Sequence, residues 1–546
     1  MTNSIYWYDY ETFGIDPRLD RLSQFAGIRT DEDLNIISDP LTLYCRPAND
    51  CLPDPHACMV TGITPQQALA NGQVEAEFIK QIHQELSTPG TCGVGYNSLR
   101  FDDEVTRNTL YRNLHDPYGR EWQNGNSRWD MIDVVRVCHD LRPEGIVWPR
   151  RDDADRPSFK LEELTAANGI AHEQAHDALS DVYATLAIAR LIREKQPKLY
   201  DFLYTLRRKQ EVRKYIDLKD MTPILHTSGM YGSDHGNTRL VVPLAAHPTN
   251  RNSVIVFDLA QDPALLLESG AKTLAERLYT ASGDLPDGVE RPALKQLLLN
   301  KCPVIAPTST LTGEAAKRLK IDLMTGRRNR QTLLNARKAV QDKIAKIFEP
   351  REFEEVQDPD LMIYAGGFFD DSDKALIKAV HDTDPQALAT QSWNFTDKRL
   401  PEMLFRYRAR SYPETLDAEE QVRWLAHCRN RLIEGESGHF TFAAFHAEID
   451  ALAEIVYTSD APAATVAWTV DRAKDLLGQP ADVLHEVDLA GLGPSDLADV
   501  GAQRPERRPE ALAARQLDAG LDSAIAERYA ILGCDARRRE VVAAGR

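Results

Sequence analysis

The chain has 546 residues, too many for one hydrophobic core; at roughly 150 residues per domain it makes about three or four units. Apolar residues are 42% and charged residues 27%, which excludes wholesale disorder, and no apolar run approaches the ~18 residues of a membrane span. The balance of 65 basic against 83 acidic residues leaves −18, which taken alone argues against long-range attraction to nucleic acid. The opening nine residues carry no basic n-region, and Asp9 stands where a signal peptide would be apolar, so a cytoplasmic location is expected. Eight cysteines form no C-x-x-C pair, and the Cys45, Cys51 and Cys58 cluster matches no common zinc module. They read as thiols in a reducing compartment.

In chain order, residues 5–10, 25–29 and 41–45 are aromatic and β-branched runs between polar turns, and predict strands. Thr64 and Pro65 open a helix as N-cap and first position, with Gln67 placed to close a capping box. Residues 92–96 predict a further strand, and helices are expected from Phe101, Trp129, Phe159 and Asp177. Gln196-Pro197 ends the last of these and marks a boundary. Strands at 240–244, 253–259 and 303–305 make the next unit β-rich as far as Phe348. From Glu349 the pattern is helical, with 417–433 and 442–457 the firmest helices. The organisation is therefore 1–196 α/β, 197–348 β-rich, 349–478 helical, and 479–546 an Ala-rich, Lys-free tail that is poorly ordered or loosely helical.

Charge is unevenly spread. Residues 317–346 hold ten basic side chains against Asp322 and Asp342, a local +8, and 207–214 holds a smaller basic group. Such islands either collect in a groove for a polyanion or form a solvated helix face. No Walker A pattern or nucleophile elbow occurs, and Gly93-Val94-Gly95 lacks the third glycine of a dinucleotide loop.

The chemistry lies in carboxylates. Asp9 and Glu11 are two apart on a predicted strand and leave it on one face, where their repulsion is relieved by a hard, oxygen-ligated cation such as Mg²⁺ or Mn²⁺. Asp102 projects from a strand–helix junction. His176 stands at the mouth of the Ala-rich helix, with Asp181 one turn inside. Each feature alone is commonplace; in this order they supply four carboxylates and a histidine.

Asp9-x-Glu11, Asn97-x-x-x-Phe101-Asp102 and His176-x-x-x-x-Asp181 resemble the DEDD exonuclease superfamily in its histidine-bearing branch. Within it, DYETFG (9–14), TGITP (61–65), RFDDEVTRN (100–108), NSRWD (126–130), LRPEG (141–145) and HDALSDVYAT (176–185) resemble the bacterial exodeoxyribonuclease I family. The likeness continues through 247–248, 250–252, 300–303, 368–369, 397–399 and 407–410, and covers about residues 1–475. It implies a ribonuclease H-like exonuclease domain, an SH3-like domain and a helical C-terminal domain around a groove. It further implies a monomer that degrades single-stranded DNA from the 3′ end to 5′-mononucleotides, in repair and recombination. Asp9 (bridging), Glu11, Asp102 and Asp181 would hold two Mg²⁺ ions, and His176 would be the general base. Glu11, Thr12 and Phe13 would meet the terminal nucleotide; Arg107, Arg136, Lys160, Lys209 and Asn252 would contact the strand; Tyr118, Trp122 and Phe13 would stack on bases. The family usually has Arg where Lys160 stands, so bidentate phosphate binding is lost there. Arg142 matches a position that docks the acidic tail of single-stranded DNA-binding protein, and Phe202 keeps an aromatic where the family has one. The motifs also admit an RNA-trimming relative or a catalytically silent scaffold. The long matching region beyond the nuclease domain weighs against the first, and the intact carboxylates against the second.

Overall fold

The computed structural model describes residues 3–151, 156–172, 177–232, 234–350, 355–445, 447–448 and 451. Strand β1 (Ser4–Thr12) is the centre of the first sheet, and every one of its residues but Asp9 is buried. β2 (Leu22–Thr30) pairs antiparallel with it and β3 (Leu41–Tyr44) antiparallel with β2. β4 (Thr91–Gly95) and β5 (Ser127–Asp130) run parallel on the other side, so the order is β3-β2-β1-β4-β5.

Alternation along β1 decides what each face carries. Ile5 and Trp7 pack with Val182, Leu186 and Ala189 of the helix Ala178–Lys195. Tyr6, Tyr8 and Tyr10 pack the other way, against Phe78 and Ile82 of the helix Glu75–Ser87 and Val105 and Leu110 of the helix Asp102–Arg112. Asp9 and Glu11 therefore fall on the face that Ala178–Lys195 covers.

The helix expected from Trp129 begins later, at Met131, because Trp129 belongs to β5. Its polar neighbours Ser127, Arg128 and Asp130 hide the strand from periodicity; pairing with β4 is what makes it one. Thr64 Oγ1 accepts the Gln67 N–H at 3.1 Å, as expected of an N-cap. The full reciprocal box is formed by Asp417 and Glu420 at the helix Ala418–Leu432. Of the helix expected at 442–457, only 442–445, 447–448 and 451 are among the described residues, and the tail from 479 lies outside them.

The second sheet is antiparallel, in the order β10-β6-β7-β8-β9. Its strands are β6 (Ile224–Thr227), β7 (Thr238–Ala246), β8 (Ser253–Asp258), β9 (Leu294–Leu298) and β10 (Val304–Pro307). The two short strands β6 and β9 escaped the sequence pattern, and this unit is less purely β than expected. The helices Ala271–Tyr279, Leu323–Asn335 and Arg337–Ile347 supply Leu274, Leu333 and Ile344 to its core. That core is continuous with the first: one apolar cluster runs from Ile5 and Trp129 to Val241, Phe257 and Ile347. Gln196 does end a helix, but Pro197–Thr205 turns straight back, with Tyr200 edge-on to Trp129 at 5.2 Å.

The helical region contains Asp371–Asp382, Leu400–Ser411 and Ala418–Leu432. Phe405 and Trp424 share a cluster with Phe13, Leu52 and Ile63 of the first unit. Beside it, fully buried Asp50 meets Arg21 at 3.4 Å, Arg410 at 2.9 Å and Arg431 at 2.6 Å. Asp360 pairs with Arg406, Arg410 and Arg431. Burial raises the pKa of both carboxyls, but the surrounding guanidiniums outweigh it and hold them well below the usual range. Each charge is desolvated and matched, so loss of any one strands its partners. No helix among the described residues is long and apolar enough to cross a membrane.

Candidate metal centre and nucleic-acid interface

One carboxylate oxygen from each of Asp9, Glu11 and Asp181 lies within 4.8 Å of the others, the one such group of possible metal ligands among the described residues. The reason is topological: two acids on the odd face of β1 meet the first turn of the helix that covers that face. Three half-buried or buried carboxylates so close repel one another, and an all-oxygen donor set suits a hard divalent cation. The residues present fit Mg²⁺ or Mn²⁺.

Asp102 arrives differently. It is the first residue of the helix Asp102–Arg112, is 1% exposed, and does not belong to the converging three. The turn before it is held by Asp130, whose carboxylate accepts the N–H groups of Asn97 and Leu99 and caps the helix Met131–Leu141 through Ile132 N–H. His176 lies outside the described residues. A different histidine, absent from the sequence expectations, reaches the site: His172 Nε2 is 2.6 Å from Asp181 Oδ1. Its only sequence signal is its place in the same segment, nine residues ahead of Asp181.

The expected DNA contacts separate into two groups. Trp122 is open, 67% exposed, and Tyr118 is half-buried beside it in sequence. Lys209 Nζ donates to Asn252 Oδ1, so these two candidates from different elements form one polar unit. Lys160 stands at the N-terminal boundary of the helix Leu161–Ala167, and its ammonium lies 3.8 Å from Glu162 and from Glu163. Thr12 ends β1, and its hydroxyl donates to Gly14 O at 2.6 Å.

Phe13, Arg107 and Arg136, the other expected contacts, are buried. Phe13 is 2% exposed and packs as core with Phe405 and Trp424, so its ring has no open stacking face. Arg107 is buried between Glu121, which it meets through two bonds at 2.7 and 2.8 Å, and Glu104 at 2.7 Å. Those acids match its charge, and the guanidinium lies 5.5 Å under the Tyr118 ring. Arg136 is buried and pairs with Asp133 at 2.8 Å.

Two aromatic side chains that sequence reasoning passed over stand in the open: Tyr364, hydrogen-bonded to Glu104, and Phe368, 86% exposed and edge-on to Tyr118 at 5.9 Å. They bring the helical region to the same surface as Tyr118.

The basic stretch 317–346 resolves into two kinds of residue. Arg318 donates to Asp140 O at 2.6 Å, Arg330 to Met221 O at 2.8 Å, and Arg337 to Lys219 O at 2.6 Å. Lys343 Nζ donates to Leu266 O, Leu267 O and Ser269 O at 2.7–2.8 Å. These cations satisfy carbonyls at helix ends and in the turn before β6. Arg327 and Arg328 remain exposed. Arg142 closes the helix Met131–Leu141 and bonds Thr310 O at 3.1 Å, on the seam between the first two units. Phe202 packs edge-on to Tyr215 at 5.7 Å.

The α/β sheet with a D-x-E strand and a helix-borne aspartate defines an exonuclease-type domain, and the family model described as Exonuclease matches residues 6–189. The models for the Exonuclease I SH3-like domain and the Exonuclease I C-terminal domain match residues 207–350 and 357–467. Exodeoxyribonuclease I of Escherichia coli is 51% identical over 424 residues, 78% of this chain and 88% of that one. Exonuclease I from Methylocaldum szegediense superposes with a TM-score of 0.81 at 49% identity, covering 87% of this chain and 99% of that one. E. coli exonuclease I in complex with a dA16 oligonucleotide superposes at 0.82 with 46% identity, covering 88% and 100%. The chain belongs to the exodeoxyribonuclease I family, with an exonuclease domain, an SH3-like domain and an ExoI C-terminal domain in that order.

Proposed function

We propose that the chain is a 3′→5′ exonuclease that hydrolyses single-stranded DNA to 5′-mononucleotides, acting as a cytoplasmic monomer in DNA repair and recombination. The observation that carries this is the convergence of Asp9, Glu11 and Asp181 within 4.8 Å. Asp9, Glu11, Asp102 and Asp181 hold the cations. Two bound Mg²⁺ ions, with Mn²⁺ as a substitute, supply charge neutralisation for the phosphoryl and departing 3′-oxygens and a water that is nucleophilic at neutral pH. His176 takes that water's proton. Thr12 meets the terminal nucleotide, and Tyr118, Trp122 and Phe368 offer faces on which unpaired bases stack. Arg107 orients Tyr118 from beneath. Lys209 with Asn252, and Lys160, hold the phosphates.

Support for the substrate comes from the dA16 complex of the E. coli relative. A crystal structure of SSB/exonuclease I in complex with inhibitor CFAM, 44% identical to this chain with a TM-score of 0.79, supports single-stranded DNA-binding protein as a partner. Its acidic tail would dock at Arg142 and Phe202. Digestion of 3′- and 5′-labelled single strands with and without Mg²⁺, beside a matched RNA, tests the whole proposal. Release of the 3′ label first, from DNA and only with the cation, is the expected result. Equal digestion of RNA would favour the RNA-trimming alternative, and no digestion would favour a silent binding scaffold.

A further inference from the structure

The segment that leads into the helix Ala178–Lys195 carries a histidine for which the proposed mechanism has no use. His172 Nε2 lies 2.6 Å from Asp181 Oδ1, and its other ring nitrogen, Nδ1, lies 3.2 Å from Thr165 Oγ1. The imidazole is 3% exposed and the Asp181 carboxylate 18%. Thr165 is fully buried on the helix Leu161–Ala167, where its hydroxyl is also 2.9 Å from Leu161 O. The ring is thus gripped at both nitrogens by groups on two different helices.

We propose that His172 is a positioning residue for Asp181, setting the plane in which that carboxylate meets a cation; this rests on the reading of Asp9, Glu11 and Asp181 as cation ligands. The physical case has three parts. An aspartate's terminal torsion is broad and roughly two-fold, so the backbone of the helix does not by itself set the carboxylate plane. The neighbouring carboxylates of Asp9 and Glu11 push Asp181 away in the free protein, and a hydrogen bond from Nε2–H holds it against that repulsion. A carboxylate has about four acceptor positions, so one N–H leaves room for a cation. Thr165 keeps Nδ1 occupied and so directs Nε2 toward Asp181. Groups that orient a ligand in this way typically contribute about 10- to 100-fold to metal affinity.

The test is Mn²⁺ binding to the DNA-free full chain, followed by electron paramagnetic resonance, with nuclease kinetics against metal concentration in parallel. His172→Asn keeps a nitrogen near the Nδ1 position and loses the bond to Asp181, whereas His172→Gln keeps a donor near Nε2. The Asn variant should bind Mn²⁺ about 10- to 100-fold more weakly and need correspondingly more metal for half-maximal rate, with the Gln variant within about threefold of wild type. Rescue by Gln, whose amide takes no proton, also separates positioning from proton transfer. Thr165→Val reads the same linkage from the far side and should weaken Mn²⁺ binding by a few fold. Melting curves without metal identify any variant that is merely unfolded, and the remaining variants then decide. Wild-type Mn²⁺ affinity in the folded Asn and Val variants would overturn the proposal, as would equal loss in Asn and Gln. Asp181→Ala is the separate control: if it too binds Mn²⁺ normally, the ligand reading itself is wrong.

Discussion

Asp130 holds the backbone of Asn97, its Oδ1 accepting the Asn97 N–H at 2.8 Å. Asn97 sits at φ +63°, in the left-handed region, and Asp130 Oδ2 accepts the next-but-one N–H, from Leu99, at 3.1 Å. One side chain at the end of β5 thereby fixes the turn that delivers Asp102, while burial pushes its own carboxyl up to about 7. Asp130→Ala should destabilise the protein by about 2–4 kcal/mol, because buried N–H groups lose their acceptor and a helix loses its cap. Turnover measured well below the melting temperature should fall as well, while urea denaturation gives the stability change. Unchanged turnover at wild-type stability would separate Asp130 from the site.

Asp181→Ala should abolish hydrolysis while leaving folding and single-strand binding nearly intact. The side chain is partly exposed, so no core cavity forms, and a direct ligand contributes several kcal/mol to the reaction. Retention of more than about a tenth of wild-type turnover would remove Asp181 from the ligand set.

Stability should fall in acid through Glu75. Burial raises its carboxyl, but Arg112, bonded twice at 2.8 Å, with Arg21 and Asn113 overrides that and brings it down to about 2. Burial and Arg21 pull Arg112 the other way, yet a guanidinium stays charged throughout, so Glu75 is the group that titrates. A carboxyl whose folded pKa is depressed stabilises above its unfolded value, near 4.5, and that contribution is lost as pH falls toward about 2. Its size is on the order of 3 kcal/mol. Urea titrations at pH 6, 4 and 3 should show a fall that Glu75→Gln reduces; an equal fall in both would assign the acid sensitivity elsewhere.

The basic stretch should divide under mutation. Lys343→Met should cost about 1.5–3 kcal/mol, since three carbonyls lose a charged donor, and should leave DNA affinity unchanged. Arg327 and Arg328 are exposed; if they meet DNA, their double alanine variant flattens the salt dependence of single-strand binding by about 0.7 in log K per log salt for each lost contact. Anisotropy titrations at three salt concentrations, with and without single-stranded DNA-binding protein, distinguish a DNA contact, a partner contact and a solvated face.

Local pattern was enough wherever one residue's neighbours in sequence are also its neighbours in space. β1 announces itself by its aromatic and β-branched run, and the helix Ala418–Leu432 by its cap and period. The D-x-E spacing was equally legible, since two residues apart on a strand means one face. The short strands β5, β6 and β9 were not, because they are strands only through the partners they pair with.

What the sequence by itself determined, then, was the family, the three-part order and the placing of Asp9 and Glu11 on one strand face. The tertiary structure alone decided how charges are spent. Arg107, Arg330 and Lys343 look alike in a row of letters as free cations. Folding sets acids and carbonyls from distant segments against them, and a desolvated charge must be matched where it lies. The same holds for His172. Nothing in its spacing marks it, but the packing of the helices Leu161–Ala167 and Ala178–Lys195 brings Thr165 and Asp181 to its two nitrogens. A hydrogen bond depends on separation in space over about 3 Å, and chain order constrains that separation only locally.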